Sequence, residues 1–174
     1  MRANRSLLAV SLLLLLAAAA PAVVLQKGAA EYKRSCLVRL EAKLELEAAP
    51  AKVWDALTRS KGFAAATGFQ IADSDHRLAK TGDALPASVW SDKGNLVCTF
   101  AADAKELRVA FEPDNGSYLC QKRITLEPSG AGTRLVLLDR YTDEQTETVD
   151  KTAKEVMAGI PKQLAAFQAL VDKP

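Results

Sequence analysis

The chain has 174 residues, 49% of them apolar, with 23 Lys and Arg against 21 Asp and Glu. That length holds one hydrophobic core of ordinary size beside a short leader, and the composition excludes intrinsic disorder. A net charge of +2 argues against capture of nucleic acid through its phosphate backbone.

Arg2 and Arg5 precede an apolar run over 7–20 that only Ser11 interrupts, the basic and hydrophobic regions of a secretory signal. Small residues at Ala20 and Ala22 offer a cleavage point that makes 1–22 the leader, and Gly28-Ala29-Ala30 offers a later one, at 30. The competing reading is an uncleaved anchor over 6–25, about the 20 apolar residues that a membrane span needs. An Ala-rich run ending in Pro21 favours cleavage. Either way the domain, taken as 31–174, is expected in the periplasm or the medium, or held at the inner membrane facing outward. Membrane contact is expected only through an uncleaved leader. Without Arg2 and Arg5 the basic and acidic residues balance.

An exported domain meets an oxidising compartment, where Cys36, Cys98 and Cys120 can form disulfides, although an odd count leaves at least one thiol free. None stands in C-x-x-C spacing and His76 is the only histidine, so zinc-site and thiol-protease arrangements lack their partners. No metal and no cofactor are expected.

Residues 37–47 alternate strictly: Val38, Leu40, Ala42, Leu44 and Leu46 share one face, Arg39, Glu41, Lys43, Glu45 and Glu47 the other. That pattern is a half-buried strand. Pro50 opens a helix carrying Val53, Trp54 and Leu57, and a second short apolar piece over 63–67 ends at Gly68. Strands are then expected over 70–73, 84–90, 95–102, 106–112, 117–127 and 133–142. Turn signals separate them at 81–83, 92–94, 103–105, 114–116 and 129–132, short enough to join antiparallel neighbours in a meander. The period then changes. Val149, Ala153, Val156, Ile160, Leu164, Phe167 and Val171 recur every three or four residues, a helical stripe about seven turns long. Gly159 and Pro161 interrupt it, and an internal proline bends a helix.

The first strand, the run A-P-A-K-V-W-D-A-L-T at 49–58, the strand meander with T-G-D at 81–83 and the long last helix with its internal glycine together resemble the START-like helix-grip (SRPBCC) superfamily. The resemblance covers essentially all of the chain after the leader. It implies an α+β helix-grip fold: a curved antiparallel sheet of about seven strands wrapped around a long C-terminal helix, two short helices after the first strand, and a ligand cavity between helix and sheet. The superfamily includes lipid-transfer domains, polyketide cyclases, oxygenase subunits and ligand carriers, so the fold implies a cavity and does not name its contents.

Two-residue turns at 104–105 and 115–116 would set Phe111 opposite both Cys98 and Cys120, and Val109 opposite both Phe100 and Lys122. The turn at 129–132 would set Leu126 against Leu135, Ile124 against Leu137, Lys122 against Asp139 and Cys120 against Tyr141. All then share one apolar face. Cys98 and Cys120, separated by a strand, would lie roughly 9 to 10 Å apart, beyond the ~7 Å limit for a disulfide, so both are expected to be reduced and buried.

Lys122 and Asp139 are the charges that this register places on the inner face. They are expected, with Tyr118 and Tyr141, to orient a polar group of a ligand whose body lies against Phe100, Val109 and Phe111 and against Val156 and Ile160 of the helix. The alternative is a structural ion pair at the end of a filled core. No catalytic residue is assigned; a cyclase- or hydrolase-type enzyme would have only Lys122 and Asp139 for acid-base work. His76 reads as a loop histidine, Trp54 as core and Trp90 as exposed. The expected partner is an apolar small molecule, lipid-like or polycyclic, bound by a monomer. The third reading is a structural or protein-interaction domain.

Overall fold

The computed structural model describes residues 24–27, 32–33, 35–72, 75–143 and 146–173. The expected leader over 1–22 lies outside them, and the side chains of Cys36 and Val149 lie outside the description too. The alternating segment forms β3 (Ser35–Leu46), with Val38, Leu40, Ala42, Leu44 and Leu46 all buried. Ahead of it, β1 (Val24–Lys27) and β2 (Tyr32–Lys33) pair antiparallel with β3, so the sheet takes in backbone before the expected domain start at 31.

α1 (Pro50–Thr58) follows with Pro50 in its first turn, where a missing N–H costs nothing. It buries Val53, Trp54 and Leu57. α2 (Ser60–Thr67) ends on Gly68, which takes the left-handed conformation (φ 79°) and donates its N–H to the Ala64 carbonyl. A Cβ on Gly68 would stand 2.3 Å from the Gln163 side chain. The glycine therefore ends one helix and lets another approach.

Six further strands complete one antiparallel sheet: β4 (Gln70–Ile71), β5 (Ala84–Val89), β6 (Asp92–Ala102), β7 (Glu106–Pro113), β8 (Tyr118–Ser129) and β9 (Gly132–Asp143). Their order is β1-β3-β9-β8-β7-β6-β5-β4, a meander closed by the return of β9 to β3, curled into a half-barrel. The architecture is α+β, with the two short helices after the first long strand as expected. α3 (Thr146–Val171) runs unbroken through Pro161 and lies against α2, β3 and α1. Ala153, Ile160, Leu164, Phe167 and Val171 are buried, so the stripe read from the sequence is the docking face. Among the described residues no helix is long and apolar enough to cross a membrane.

Three turns differ from expectation, and the smallest difference is at β8–β9, where Ser129 pairs with Gly132 and the turn is Gly130-Ala131 without a change of register. Asp92, Lys93 and Gly94 belong to β6, and the β5–β6 turn is Trp90-Ser91, both at positive φ (51° and 78°). Gly94 marks a close approach of strands: a Cβ there would stand 2.2 Å from the Glu112 carbonyl oxygen. The β6–β7 connection has three residues, Ala102 pairing with Glu106 and Ala104 taking positive φ (52°). That odd count turns Phe100 to the outer face. A β-bulge between Cys98 and Phe100 then restores the parity, so Cys98 and Leu96 point inward, opposite Val109 and Phe111.

Candidate functional site

β7, β8 and β9 build the centre of the concave wall in the expected register. Val109 stands opposite Lys122 and Phe111 opposite Cys120. Lys122 stands opposite Asp139, Cys120 opposite Tyr141, Ile124 opposite Leu137 and Leu126 opposite Leu135. The alternation that buries Ile124 and Leu126 therefore carries Lys122 inward with them. Its ammonium Nζ donates to Asp139 Oδ2 at 2.5 Å, with 7% of Lys122 and 3% of Asp139 exposed.

A pair so placed is strongly desolvated, and only close geometry and further hydrogen bonds hold it in the charged form. Those are present. The Cys120 thiol donates to Asp139 Oδ1 at 3.6 Å, and the Lys122 ammonium lies 5.5 Å from the centre of the Phe69 ring. Burial alone would push Lys122 toward the neutral amine, but the Asp139 carboxylate outweighs it and holds the group above its ordinary pKa. Burial raises the Cys120 thiol to about 12, with Asp139 adding to the rise and Lys122 opposing it. Both groups thus stay protonated at neutral pH. A nucleophilic thiolate or a basic amine would need shifts of the opposite sign.

Aromatic rings lead outward from this pair. Phe69 packs on Phe63 (6.1 Å between centroids) and Phe111 (5.1 Å), Phe111 on Tyr118 (6.3 Å), and Trp90 on Tyr118 (5.6 Å) and Tyr141 (5.9 Å). Trp90 itself is 45% exposed, so the row runs from solvent to the buried ammonium. The Tyr118 hydroxyl is buried, and its near neighbour is the Asp92 carboxylate. Burial, and after it the Asp92 carboxylate nearby, raise its pKa, which keeps it a donor.

Of the residues expected in the site, Val109, Phe111, Lys122, Asp139 and Tyr141 are buried on the concave wall and Tyr118 is half-buried beside them. From α3, Ile160 is buried in the same core and Val156 is half-buried against it. Phe100 is corrected: it is 39% exposed on the outer face, beyond the bulge, and is no part of this wall. Cys98 and Cys120 are free and buried. Sequence reading missed Phe69 and the contribution of Cys120 to the pair. The one available signal for Phe69 was an isolated aromatic directly after the helix-ending Gly68.

Among the described residues no group of three or more His, Cys, Asp or Glu stands together as a metal site requires. Concavities among the described residues open on other parts of the surface, one of them bordered also by Val109 and Lys122. One of about 510 Å³ lies along Gln70, Pro86, Ser88 and Asn95, and two of about 280 and 330 Å³ lie among the charged side chains of the outer face.

No family profile matches the sequence, and no curated protein matches it. Solved structures do resemble it. A protein from Rhodobacter sphaeroides is similar at TM-score 0.58 and 20% identity, over 85% of this chain and 97% of that one. A Mesorhizobium loti protein is similar at TM-score 0.58 and 16% identity, over 77% and 96%. A putative protein of the dynemicin biosynthetic locus is similar at TM-score 0.56 and 13% identity, over 78% of this chain and 47% of its own length. At such identities the likeness is one of fold alone, and the curled antiparallel sheet with its C-terminal helix is compatible with a helix-grip fold.

Proposed function

We propose that the protein binds an apolar small molecule, lipid-like or polycyclic, between the concave wall and α3, and that Lys122, Asp139 and Tyr118 orient a polar group on it. The observation that carries this reading is a buried ion pair in an otherwise apolar wall, with the buried Tyr118 hydroxyl near it and only the Asp92 carboxylate beside that hydroxyl. A packed apolar core gains little from such groups and bears their desolvation. A ligand carrying one acceptor would meet the Tyr118 donor, while its body would lie on Val109, Phe111, Val156 and Ile160. With Lys122 and Cys120 held protonated, the site supplies neither a thiolate nucleophile nor a basic amine, so the chemistry open to it is hydrogen-bond donation or general-acid work.

We further propose that this occurs outside the cytoplasm, on the strength of Arg2, Arg5 and the apolar run that follows them. Native mass spectrometry of protein purified from the exported fraction should find a co-purified small molecule. An environment-sensitive apolar dye should bind saturably, one per chain, and a ligand with a single acceptor should displace it about tenfold less well from Tyr118→Phe, the loss of one hydrogen bond. Absence of dye uptake and of any bound molecule would favour the filled-core reading.

A further inference from the structure

The outer face of the sheet, turned away from α3, holds a second concentration of charge that ligand binding inside does not use. Cross-strand pairing sets Arg108 directly opposite Arg123, and Arg140 directly opposite Arg39. Gln121 lies between the pairs, opposite Arg140 on one side and Ala110 on the other. Like charges opposite one another destabilise a sheet, and only one pair is relieved: Glu106 contacts both Arg108 and, at 2.8 Å, Arg123. Arg39 and Arg140 make no ion pair with another described residue.

Between these side chains the surface sinks into the concavity of about 280 Å³, whose polar lining is Thr99, Arg108, Gln121, Arg123 and Arg140 and which also reaches Val109, Lys122 and Leu138. The three-residue β6–β7 connection that turns Phe100 outward serves this face. It lays the centre of the Phe100 ring 4.9 Å from the Arg108 guanidinium carbon, within cation–π range. Elsewhere on the face the charges cancel locally, Lys43 on Glu41 at 3.2 Å and Arg134 on Glu45 at 2.5 Å. The excess is a point and not a track, which fits a small anion and not a nucleic acid.

We propose that this concavity binds a phosphoryl group, with Arg108, Arg123 and Arg140 as its charged donors, Thr99 and Gln121 as neutral donors, and Arg39 adding charge from the neighbouring strand. Planar guanidinium forks match a tetrahedral oxyanion two oxygens at a time. The volume accommodates the phosphate and the first atoms of its ester. Bound anion would relieve the Arg39–Arg140 repulsion that the free protein bears. Although Val109 and Lys122 of the same strands also border this concavity, none of its proposed donors belongs to the interior site, so its failure leaves the carrier reading untouched.

The test uses the full folded chain at fixed ionic strength. Chemical shifts are followed during titration with inorganic phosphate and with glycerol 3-phosphate, and sedimentation is measured with phosphatidylcholine vesicles with and without phosphatidic acid. Expected are a saturable response localised to β7, β8 and β9, about a tenfold or greater weakening in Arg140→Gln, and no change in Arg134→Gln. Arg140→Gln should also leave the midpoint of thermal unfolding unchanged or raised, which a purely structural arginine would not do. Response to the soluble phosphates assigns the site to a soluble ester, and response to phosphatidic acid vesicles alone assigns it to a lipid headgroup. No saturable response to any of these probes, equal losses in Arg134→Gln and Arg140→Gln, or a lowered midpoint in Arg140→Gln would overturn the proposal.

Discussion

Lys122 and Arg123 are neighbours in β8, yet they belong to two different kinds of ion pair. Lys122 points inward to Asp139 and is buried with it; Arg123 points outward to Glu106 with about half its side chain in water. The strand's two-residue period makes that division, and burial decides what each pair is worth. Inside, water has been removed from both charges, so each depends on the other. Outside, water and salt screen the contact. Asp139→Ala leaves an ammonium buried with no counter-charge and should cost about 3 to 5 kcal/mol in urea denaturation. Replacing both partners by Lys122→Met and Asp139→Leu should recover most of that loss. A single-variant loss below about 1 kcal/mol would show that the pair is wet in solution.

The two faces differ as sharply in their aromatic residues. Phe111 is fully buried beneath Phe69, whereas Phe100 stacks on Arg108 in solvent. Phe111→Ala should therefore cost about 3 to 5 kcal/mol, and Phe100→Ala under about 1 kcal/mol. Equal losses would mean that the bulge after Cys98 is absent and that Phe100 points inward.

That pair of phenylalanines also marks where the sequence was legible. From β7 to β9 the register is the expected one, although β7–β8 pairing stops at Phe111–Cys120 and the β8–β9 turn is only Gly130-Ala131, so alternation placed Lys122 against Asp139 and Cys120 against Tyr141. Between β6 and β7 one extra turn residue and a compensating bulge cancel across Cys98 and Leu96 but not across Phe100. Periodicity cannot reveal a pair of offsets that leaves most side chains on their original faces. Gly94 misled for a related reason. A glycine needed for close strand approach reads, in sequence, like a turn glycine, while the real turn uses Trp90 and Ser91 at positive φ, which these residues seldom adopt. Within the candidate site, the ion pair was legible because two charges interrupted an apolar face. Phe69 was not, because it reaches Lys122 from a loop whose path no period describes.

The buried cluster should also be separable from the outer one by pH. A thiol raised from 9.0 to about 12 on folding stabilises the fold fully below its unfolded value, and that contribution drains away as pH rises through the folded one. Lys122, also raised, acts in the same sense, its contribution present at low pH and lost above its ordinary value. Stability should therefore fall between about pH 9 and about 12, the range given by the Cys120 shift. Cys120→Ala should lower stability overall but flatten this decline. Identical slopes in both proteins would show that the thiol is solvated.

The smallest effect is expected at Glu106, and its sign is the most informative about the outer face. Burial works against the Glu106 carboxylate, but Arg108 and Arg123 outweigh it and hold its pKa below the usual range. Because both arginines are half in water, Glu106→Gln should cost less than about 1 kcal/mol, and less still at high salt. The substitution also removes the sole carboxylate contacting Arg108 and Arg123 among the described residues, raising the positive potential at the concavity they line. If Glu106 serves only to quiet two opposed arginines, stability falls and affinity for phosphate rises together. A change in stability with no change in phosphate affinity would separate the arginine pair from the anion site.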